Sequence, residues 1–290
     1  MTDSPSTPAP VSPARDGRRQ YPDAVVATDT DIDLLAGLLA DASRIVAFTG
    51  AGISTESGIP DYRGPGGVWS TGKPPTLDDF LSDGEARREY WERRRSGYRE
   101  MAAVQPNAAH RALVALERTG RLVGTITQNI DGLHQKAGTD PDRVVELHGT
   151  SHAVRCLSCD TIWPASEIQE RLERTTGEPR CEGCGGLLRS ATVLFGEPMP
   201  VEPLRRAVAL AQAADLMLVV GSSLVVQPAA RLPVIAKQAG AKLALINREP
   251  TALDHLADLI VRGDAGRTLA NAAELALAWQ PPRVPFYGAG

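Results

Sequence analysis

Residues 44–63 constrain the fold of this chain more than any other segment. An apolar run, residues 44–48, passes directly into a glycine-bearing segment that begins Thr-Gly-Ala-Gly-Ile-Ser at position 49. A buried strand that ends in such a turn is how a parallel sheet presents backbone N–H groups to a pyrophosphate. Gly50 and Gly52 allow the backbone to approach a ligand closely, where a Cβ would intrude. The segment therefore predicts a dinucleotide-binding fold, although Thr55 occupies the place of the third glycine in Gly-x-Gly-x-x-Gly.

The remainder of the chain alternates between short apolar runs and helical patterns. Apolar runs of strand length lie at residues 122–127, 144–147, 192–195, 216–220, 243–246 and 259–261. Helical apolar spacing occurs at residues 31–42, 107–119, 202–213 and 229–239, with Asn107 as the expected N-cap of the second of these. Because strands that alternate with helices pair in parallel through right-handed crossovers, we expect an α/β fold, a Rossmann-like parallel sheet with helices on both faces.

The four cysteines form two close pairs, with 21 residues between the pairs. Each C-x₂-C pair can form a tight turn, and two such turns supply four thiolates to one tetrahedral Zn²⁺. A four-thiolate site has no open coordination position, so the metal is expected to be structural. The alternative is a zinc ribbon that binds nucleic acid, which a shortage of basic and aromatic residues in this stretch disfavours. The predicted ligands are Cys156, Cys159, Cys181 and Cys184.

Two segments interrupt the alternation of strands and helices. An arginine-rich helical segment lies around residues 84–103, and the cysteine region spans residues 151–190. We interpret both as insertions that form a smaller domain, made of a zinc ribbon and a helical module. The predicted boundaries are a Rossmann-like domain of residues 31–75, 107–150 and 190–280, a helical insertion of residues 76–106, a zinc-binding insertion of residues 151–189 and a tail of residues 1–30.

Composition excludes several classes of partner. The fractions of 42% hydrophobic and 23% charged residues are ordinary for a globular enzyme, and a net charge of −4 gives no electrostatic footprint for nucleic acid or an anionic membrane. The sequence has no apolar stretch of about 20 residues that could span a bilayer. We expect a cytoplasmic protein with a disordered tail. A transit peptide is the alternative, although Asp3 and Asp16 would be unusual in one.

Polar residues follow two of the predicted strands. Thr-Gln-Asn-Ile-Asp begins at position 127, and Glu-Leu-His-Gly begins at position 146. In α/β sheets, ligands bind at the carboxyl ends of strands, which is where both motifs are expected. Taken singly, each motif has a structural explanation, since a histidine at a strand end is more often structural and Asn and Asp readily bond local backbone.

Seven motifs together resemble the sirtuins, the NAD-dependent protein-lysine deacylases, in identity and in order along residues 31–275. The resemblance is closest to the class II, mitochondrial-type members. Tyr62 stands where many sirtuins have phenylalanine, and Gly-Ser-Ser replaces the commoner Gly-Thr-Ser, but neither change removes the required chemistry. The motifs are Gly-Ala-Gly-Ile-Ser at 50, Thr-Gln-Asn-Ile-Asp at 127, His-Gly at 148, the cysteine pairs, Phe-Gly-Glu at 195, Gly-Ser-Ser-Leu at 221 and Ile-Asn-Arg at 246.

The resemblance implies a role for each matching residue toward NAD. One group would cradle the phosphates, a second would lie on a cofactor-binding loop, a third would shape the nicotinamide and ribose pocket, and the rest would contact the adenosine half. In that order the groups are Gly50, Ala51, Gly52 and Thr55; Asp61, Tyr62 and Arg63; Gln128, Asn129 and Asp131; and Gly221, Ser222, Ser223, Asn247, Arg248, Glu249 and Ala265.

The resemblance also implies a mechanism. The acyl-lysine carbonyl oxygen would attack the ribose carbon that bears nicotinamide, and the products would be nicotinamide, free lysine and O-acyl-ADP-ribose. His148 would be the general base that deprotonates a ribose hydroxyl, with Asn129 and Asp131 as further catalytic residues. A neutral imidazole, with an ordinary pKa of about 6.5, suits this role. We interpret the other histidines as structural: His110, His134, His152 and His255.

Tyr90 and Arg93 are the candidates for choosing the acyl group. They are three residues apart and share a helix face, and they resemble the Tyr-x-x-Arg of sirtuins that remove acidic acyl groups such as succinyl. There the arginine pairs with the acyl carboxylate. The alternative is a solvated amphipathic helix, since Tyr90, Trp91, Arg94, Tyr98 and Met101 also have helical spacing.

The leading hypothesis is thus an NAD-dependent deacylase whose partners are acylated lysine side chains of proteins. The alternatives are protein mono-ADP-ribosyl transfer at the same site, a non-catalytic NAD-responsive binding module, and a dehydrogenase. The module is disfavoured because His148, Asn129 and Asp131 are all present, and the dehydrogenase because the third fingerprint glycine is missing.

Overall fold

The computed structural model describes residues 25–61, 76–175 and 177–278. Strands and helices alternate through most of these residues, as the apolar pattern predicts. The strands are β1 (Ile45–Thr49), β2 (Leu122–Thr127), β3 (Val144–Glu146), β4 (Gly149–Cys156), β5 (Ile162–Pro164), β6 (Leu188–Thr192), β7 (Leu216–Val220), β8 (Lys242–Ile246) and β9 (Leu259–Val261). The helices are α1 (Asp29–Asp41), α2 (Leu77–Ser82), α3 (Gly84–Ala103), α4 (Ala108–Arg118), α5 (Leu133–Ala137), α6 (Ala165–Arg174), α7 (Val201–Ala213), α8 (Arg231–Gln238) and α9 (Ala265–Ala278).

The larger sheet of the described residues has six strands in the order β3-β2-β1-β7-β8-β9, all parallel. The chain builds outward from β1 in one direction and then returns to build in the other. This strand order is that of a doubly wound dinucleotide-binding sheet, which confirms the predicted fold class. A crevice opens where the order reverses, between the carboxyl ends of β1 and its neighbours β2 and β7.

Helices cover both faces of this sheet because its strands are apolar on both sides. In β1, Ile45 and Ala47 pack into a core that includes residues of α1, α4 and α9. The alternate residues Val46 and Phe48 pack into a second core with residues of α7 and α8. Alternation along a strand sends neighbouring side chains to opposite faces, so a continuous apolar run is what a doubly covered strand requires.

The N-cap predicted for α4 is confirmed. The Oδ1 of Asn107 accepts the backbone N–H of Ala109 at 3.0 Å, and the Nδ2 donates to the carbonyl of Ile53 at 2.6 Å. The cap therefore satisfies one free amide of the helix terminus and also ties α4 to the turn after β1.

A smaller unit is formed jointly by the arginine-rich segment and the cysteine region. Its sheet, within the described residues, has three antiparallel strands in the order β5-β4-β6. Trp91 of α3 is only 2% exposed and packs in one apolar cluster with Ile168 of α6 and Leu188 of β6. The predicted smaller domain of ribbon plus helical module is thereby confirmed, while the residue boundaries of the domains stay predictions.

The strand predicted at residues 192–195 is wrong. The strand β6 ends at Thr192, and Phe195 forms an isolated parallel bridge with Thr76. The chain turns away because Glu197 folds back, accepting the N–H of Leu194 at 3.1 Å and pairing with Arg189 at 2.8 Å. This apolar run lines a cleft instead of entering the sheet.

The helices of the described residues include none that is both long and apolar enough to cross a membrane.

Candidate active site

A cavity of about 2000 Å³ opens at the carboxyl ends of β1, β2, β7 and β8, with α3 and the end of β6 forming its far wall. Tyr62 and Arg63 lie outside the described residues. Every other residue that the sequence predicted for the catalytic, cofactor or acyl site lines this cavity: Gly50, Ala51, Gly52, Thr55, Asp61, Tyr90, Arg93, Gln128, Asn129, Asp131, His148, Gly221, Ser222, Ser223, Asn247, Arg248, Glu249 and Ala265.

The turn after β1 interlocks with the turn after β7. The N–H of Gly52 donates to the carbonyl oxygen of Gly221 at 2.8 Å, and the N–H of Gly50 donates to that of Val220 at 3.1 Å. Gly221 has φ +64°, and a Cβ there would lie 2.2 Å from the backbone nitrogen of Ile53. Glycine is therefore required, because the two backbones meet with no space for a side chain.

Asn129 and Asp131 are joined by a residue that the sequence analysis did not assign. The Nδ2 of Asn129 donates to the carbonyl of Gly50 at 3.1 Å and to the Oγ of Ser54 at 3.2 Å. Ser54 Oγ in turn donates to Asp131 Oδ2 at 2.7 Å. The only sequence signal for Ser54 was its position at the end of Gly-Ala-Gly-Ile-Ser.

His148 follows β3, and one hydrogen bond fixes the orientation of its ring. Its Nδ1 lies 2.9 Å from the backbone carbonyl oxygen of Gln128. A carbonyl only accepts, so Nδ1 has the proton and the lone pair of Nε2 stays available. Burial lowers the pKa of His148, and the hydrogen bond to Gln128 opposes this effect only in part. The ring is therefore neutral at pH 7 and able to accept a proton.

The opposite end of the cavity lies after β8. The Nδ2 of Asn247 donates to the carbonyl of Glu249 at 2.7 Å, and Arg248 forms an ion pair with Asp264. Ala265, the first residue of α9, is 5% exposed and also lines the cavity. These contacts leave the Arg248 guanidinium fixed and neutralised beside the cavity.

The wall formed by α3 contains two arginines in different states. Arg93 is 60% exposed at its side chain and pairs with Glu89 one turn earlier. Arg94 is half-buried, and it donates to Ser190 Oγ at 2.8 Å and to the carbonyl of Ser151 at 3.1 Å. The Tyr90 hydroxyl donates to the same Ser190 Oγ at 2.7 Å. The sequence analysis treated Arg94 only as part of an amphipathic pattern.

The four cysteines converge as their spacing predicts. Their Sγ atoms all lie within 4.8 Å of one another. The Cys156–Cys184 and Cys159–Cys181 Sγ distances are 3.5 and 3.7 Å. A tetrahedral zinc with Zn–S bonds of about 2.3 Å requires sulfur atoms about 3.8 Å apart, so the cluster fits this ion.

Comparison with known proteins agrees with this geometry. Residues 50–228 match the model of the Sir2 family. An NAD-dependent protein deacetylase 1 of Bradyrhizobium diazoefficiens is 46% identical over 247 residues, which are 84% of this chain and 97% of the relative. An NAD-dependent protein deacetylase of Rhodopseudomonas palustris is 48% identical over 238 residues, which are 82% and 94% of the two chains.

Solved structures give the same result. A structure described as Sir2-p53 peptide-NAD+ superimposes with a TM-score of 0.77 at 37% identity, covering 86% of this chain and 99% of that chain. The residues that match the family model include the turn after β1 and the strands β2 to β7. The chain belongs to the Sir2 family.

Proposed function

We propose that this protein is an NAD-dependent protein-lysine deacylase that removes acetyl groups, with NAD as its co-substrate. The observation that supports it most directly is the state of His148, whose Nδ1 is bonded to the Gln128 carbonyl at 2.9 Å while Nε2 is free beside the cavity. The relatives named NAD-dependent protein deacetylases agree with this function.

The residues around the cavity fit NAD. The glycine turns after β1 and β7 bring bare backbone close to the cavity, as a pyrophosphate requires. Asn129 and Asp131 line the cavity with amide and carboxylate groups, which are suitable hydrogen-bond partners for ribose hydroxyls and a carboxamide. NAD supplies a ribose carbon that becomes electrophilic as nicotinamide leaves. His148 would take a proton at Nε2 from a ribose hydroxyl, and Asn129 and Asp131 would orient the nicotinamide ribose.

The four cysteines would hold one Zn²⁺ with a structural role. Cys156 and Cys181 belong to the same apolar cluster as Trp91 and Leu188. The ion would therefore stabilise the unit that forms the far wall of the cavity, and it would supply no open coordination position to the reaction.

Deacetylation is tested by mass spectrometry on a peptide with one acetyl-lysine, with and without NAD. We expect NAD-dependent loss of the acetyl group, at least a hundredfold slower in His148→Ala. His255→Ala, which changes an exposed histidine, is the matched control and should keep wild-type activity. Acetyl loss without NAD, or equal rates in His148→Ala and the wild type, would contradict the proposal.

Mono-ADP-ribosyl transfer at the same site is the less favoured alternative, because the named relatives are deacetylases. Adenine-labelled NAD distinguishes the two activities. Label that stays on protein after denaturation indicates ADP-ribosyl transfer, whereas label in a small O-acyl product indicates deacylation.

A preference for acidic acyl groups is the finer part of the proposal. Tyr90 and Arg93 line the same cavity as His148, and the exposed Arg93 can exchange Glu89 for an acyl carboxylate without losing a buried contact. Arg93→Met should then lose activity on succinyl-lysine while keeping that on acetyl-lysine. Arg88→Met is the matched control, since Arg88 also pairs with a glutamate of α3, Glu85, and does not line the cavity. Equal loss on both acyl groups would refute this preference.

A further inference from the structure

A buried chain of hydrogen bonds connects His134 of α5 to Asn129. The Nε2 of His134 lies 2.9 Å from Thr49 Oγ1, and Thr49 Oγ1 donates to Thr127 Oγ1 at 2.8 Å. Thr127 Oγ1 then accepts the backbone N–H of Asn129 at 3.0 Å. All four residues are at most 9% exposed. A chain of hydrogen bonds that runs from His134 through Thr49 to Thr127 requires the ring to have its proton on Nε2.

Further hydrogen bonds lead from Asn129 through other side chains of the site back to α5. Asn129 donates to Ser54, and Ser54 donates to Asp131 Oδ2. The other oxygen of that carboxylate, Oδ1, accepts the N–H of Leu133 at 3.0 Å. Leu133 is the first residue of α5 and precedes His134. Asn129 and Asp131 thus both contact Ser54 on the cavity side. On the interior side, Asn129 contacts Thr127 and Asp131 contacts the N–H of Leu133, which precedes His134.

Packing alone does not explain why Thr49 and Thr127 have a hydroxyl group. They are register partners at the ends of the parallel strands β1 and β2, and both are nearly fully buried. A valine would fill the same space without the cost of burying a hydroxyl group. Their hydroxyls are explained by the link they make, because each one satisfies a polar group beside it.

We propose that His134 is a positioning residue for the nicotinamide-ribose end of the cavity. Through Thr49 and Thr127 it fixes the backbone at Asn129, and through α5 it fixes the carboxylate of Asp131. His134 is buried and does not line the cavity, so it acts through its neighbours, and we expect its effect on NAD and not on the acyl peptide. The inference rests on the proposed function in one respect, that NAD is the ligand at this end.

The first test removes the link without changing volume. Thr49→Val and Thr127→Val delete one hydroxyl each, and Thr49→Ser keeps it. We expect both valine variants to weaken NAD binding about tenfold in calorimetry, and to raise the KM for NAD by the same factor. The KM for acetyl-peptide should stay within twofold of the wild type, and Thr49→Ser should behave as the wild type. Equal changes in both KM values, or an unchanged Kd for NAD, would overturn the proposal.

A second pair of variants changes the ring itself. His134→Gln keeps an N–H donor on a side chain of similar reach, whereas His134→Ala removes it. We expect His134→Gln to recover most of the NAD affinity that His134→Ala loses. If the two variants bind NAD equally weakly, His134 only fills space and the proposal fails.

Histidine ring ¹⁵N shifts of the unsubstituted protein test the link even where a variant fails to fold. The proposal requires His134 to be protonated at Nε2 and unprotonated at Nδ1. The opposite tautomer would refute the proposal. The binding measurement separates this inference from the proposed reaction. A protein that binds NAD but removes no acyl group would refute the reaction alone, whereas wild-type affinity for NAD in the valine variants would refute the positioning role alone.

Discussion

At the scale of single residues, neighbouring groups restrict the site residues. They fix the ring orientation of His148 and the backbone conformation of Gly221. His148 has its Nδ1 engaged by the Gln128 carbonyl, so only Nε2 can act. Gly221 has a positive φ and a backbone neighbour where its side chain would be. In both cases the determining contact comes from a residue at the end of another strand, so neither state can be deduced from local sequence.

Gly221→Ala is expected to be far more damaging than an alanine at an ordinary left-handed glycine. The new Cβ would overlap Ile53 N and separate the turns after β1 and β7, in addition to a conformational cost of about 1–2 kcal/mol. Gly240→Ala is the matched control, because Gly240 has φ +99° and open space around its Cβ position. Urea unfolding and NAD binding would measure both variants. A Gly221→Ala protein as stable as Gly240→Ala would contradict the interlocked turns.

At the scale of elements, α3 belongs structurally with the cysteine region. Trp91 packs with residues of β4, β6 and α6, and Arg99 pairs with Glu173 of α6. The sequence predicted α3 correctly from its helical pattern but could not indicate which face is buried, since six arginines between positions 87 and 99 surround one tryptophan. Elements distant in sequence therefore share one small core. The cysteine cluster lies at its edge, with Cys156 and Cys181 inside the core and Cys159 and Cys184 exposed.

Loss of the metal should loosen this small core as a unit. Cys181→Ser removes a ligand that is 4% exposed, and we expect zinc content to fall from about one ion per chain to near zero, with a lower melting temperature. Because α3 lines the side of the cavity proposed for the acyl group, KM for the acyl peptide should rise more than Kd for NAD.

Metal analysis, circular dichroism and the two binding constants check this expectation. Ser158→Ala is the control, since Ser158 contacts Cys156 Sγ through its backbone N–H at 3.4 Å, which the substitution leaves in place. Full zinc occupancy in Cys181→Ser would show that the cluster is not a four-thiolate site.

At the scale of the whole molecule, the interior contains two buried, neutral histidines. Protonation of either ring would destabilise the folded state. Burial lowers the pKa of His134 to about 3 and that of His110 to about 4. Their rings lie 5.0 Å apart, and His110 adds to the effect of burial in lowering the pKa of His134. Asp131 raises and Arg111 lowers the pKa of His110, each by less than burial lowers it. In the unfolded chain both would titrate near a pKa of about 6.5.

Stability should therefore fall as the pH drops below about 6.5, because the unfolded chain then binds protons that the folded one does not. Each histidine contributes a loss of up to about 1.4 kcal/mol per pH unit in this window. Urea unfolding between pH 5 and 7.5 measures the slope. His134→Gln should reduce it, whereas His255→Gln, at an exposed position, should not. An unchanged slope in His134→Gln would contradict a neutral buried ring.

Apart from α9, which it did not predict, the local sequence pattern was sufficient to predict the α/β class, the strands and helices of the large sheet, the capping residue of α4 and the convergence of the cysteines. Each of these follows from spacing within one segment or from the order of motifs along the chain. The strand prediction at residues 192–195 failed because the local pattern is ambiguous there. An apolar run is compatible with a strand and also with the wall of a cleft. The contacts of Glu197 with Leu194, Arg189 and Arg155 decide between the two.

The side chains that contact one another at the site are set by the fold and not by local sequence. Ser54 and Asp131 are 77 residues apart, Thr49 and His134 are 85 apart, and Tyr90 and Ser190 are 100 apart. Contacts of this kind impose no periodicity on either segment, because each is set by how separate strands and helices pack together. The chain's local pattern specifies the elements and the edge of the sheet where a ligand binds, and packing assigns the partners that orient His148, Asn129 and Asp131 there.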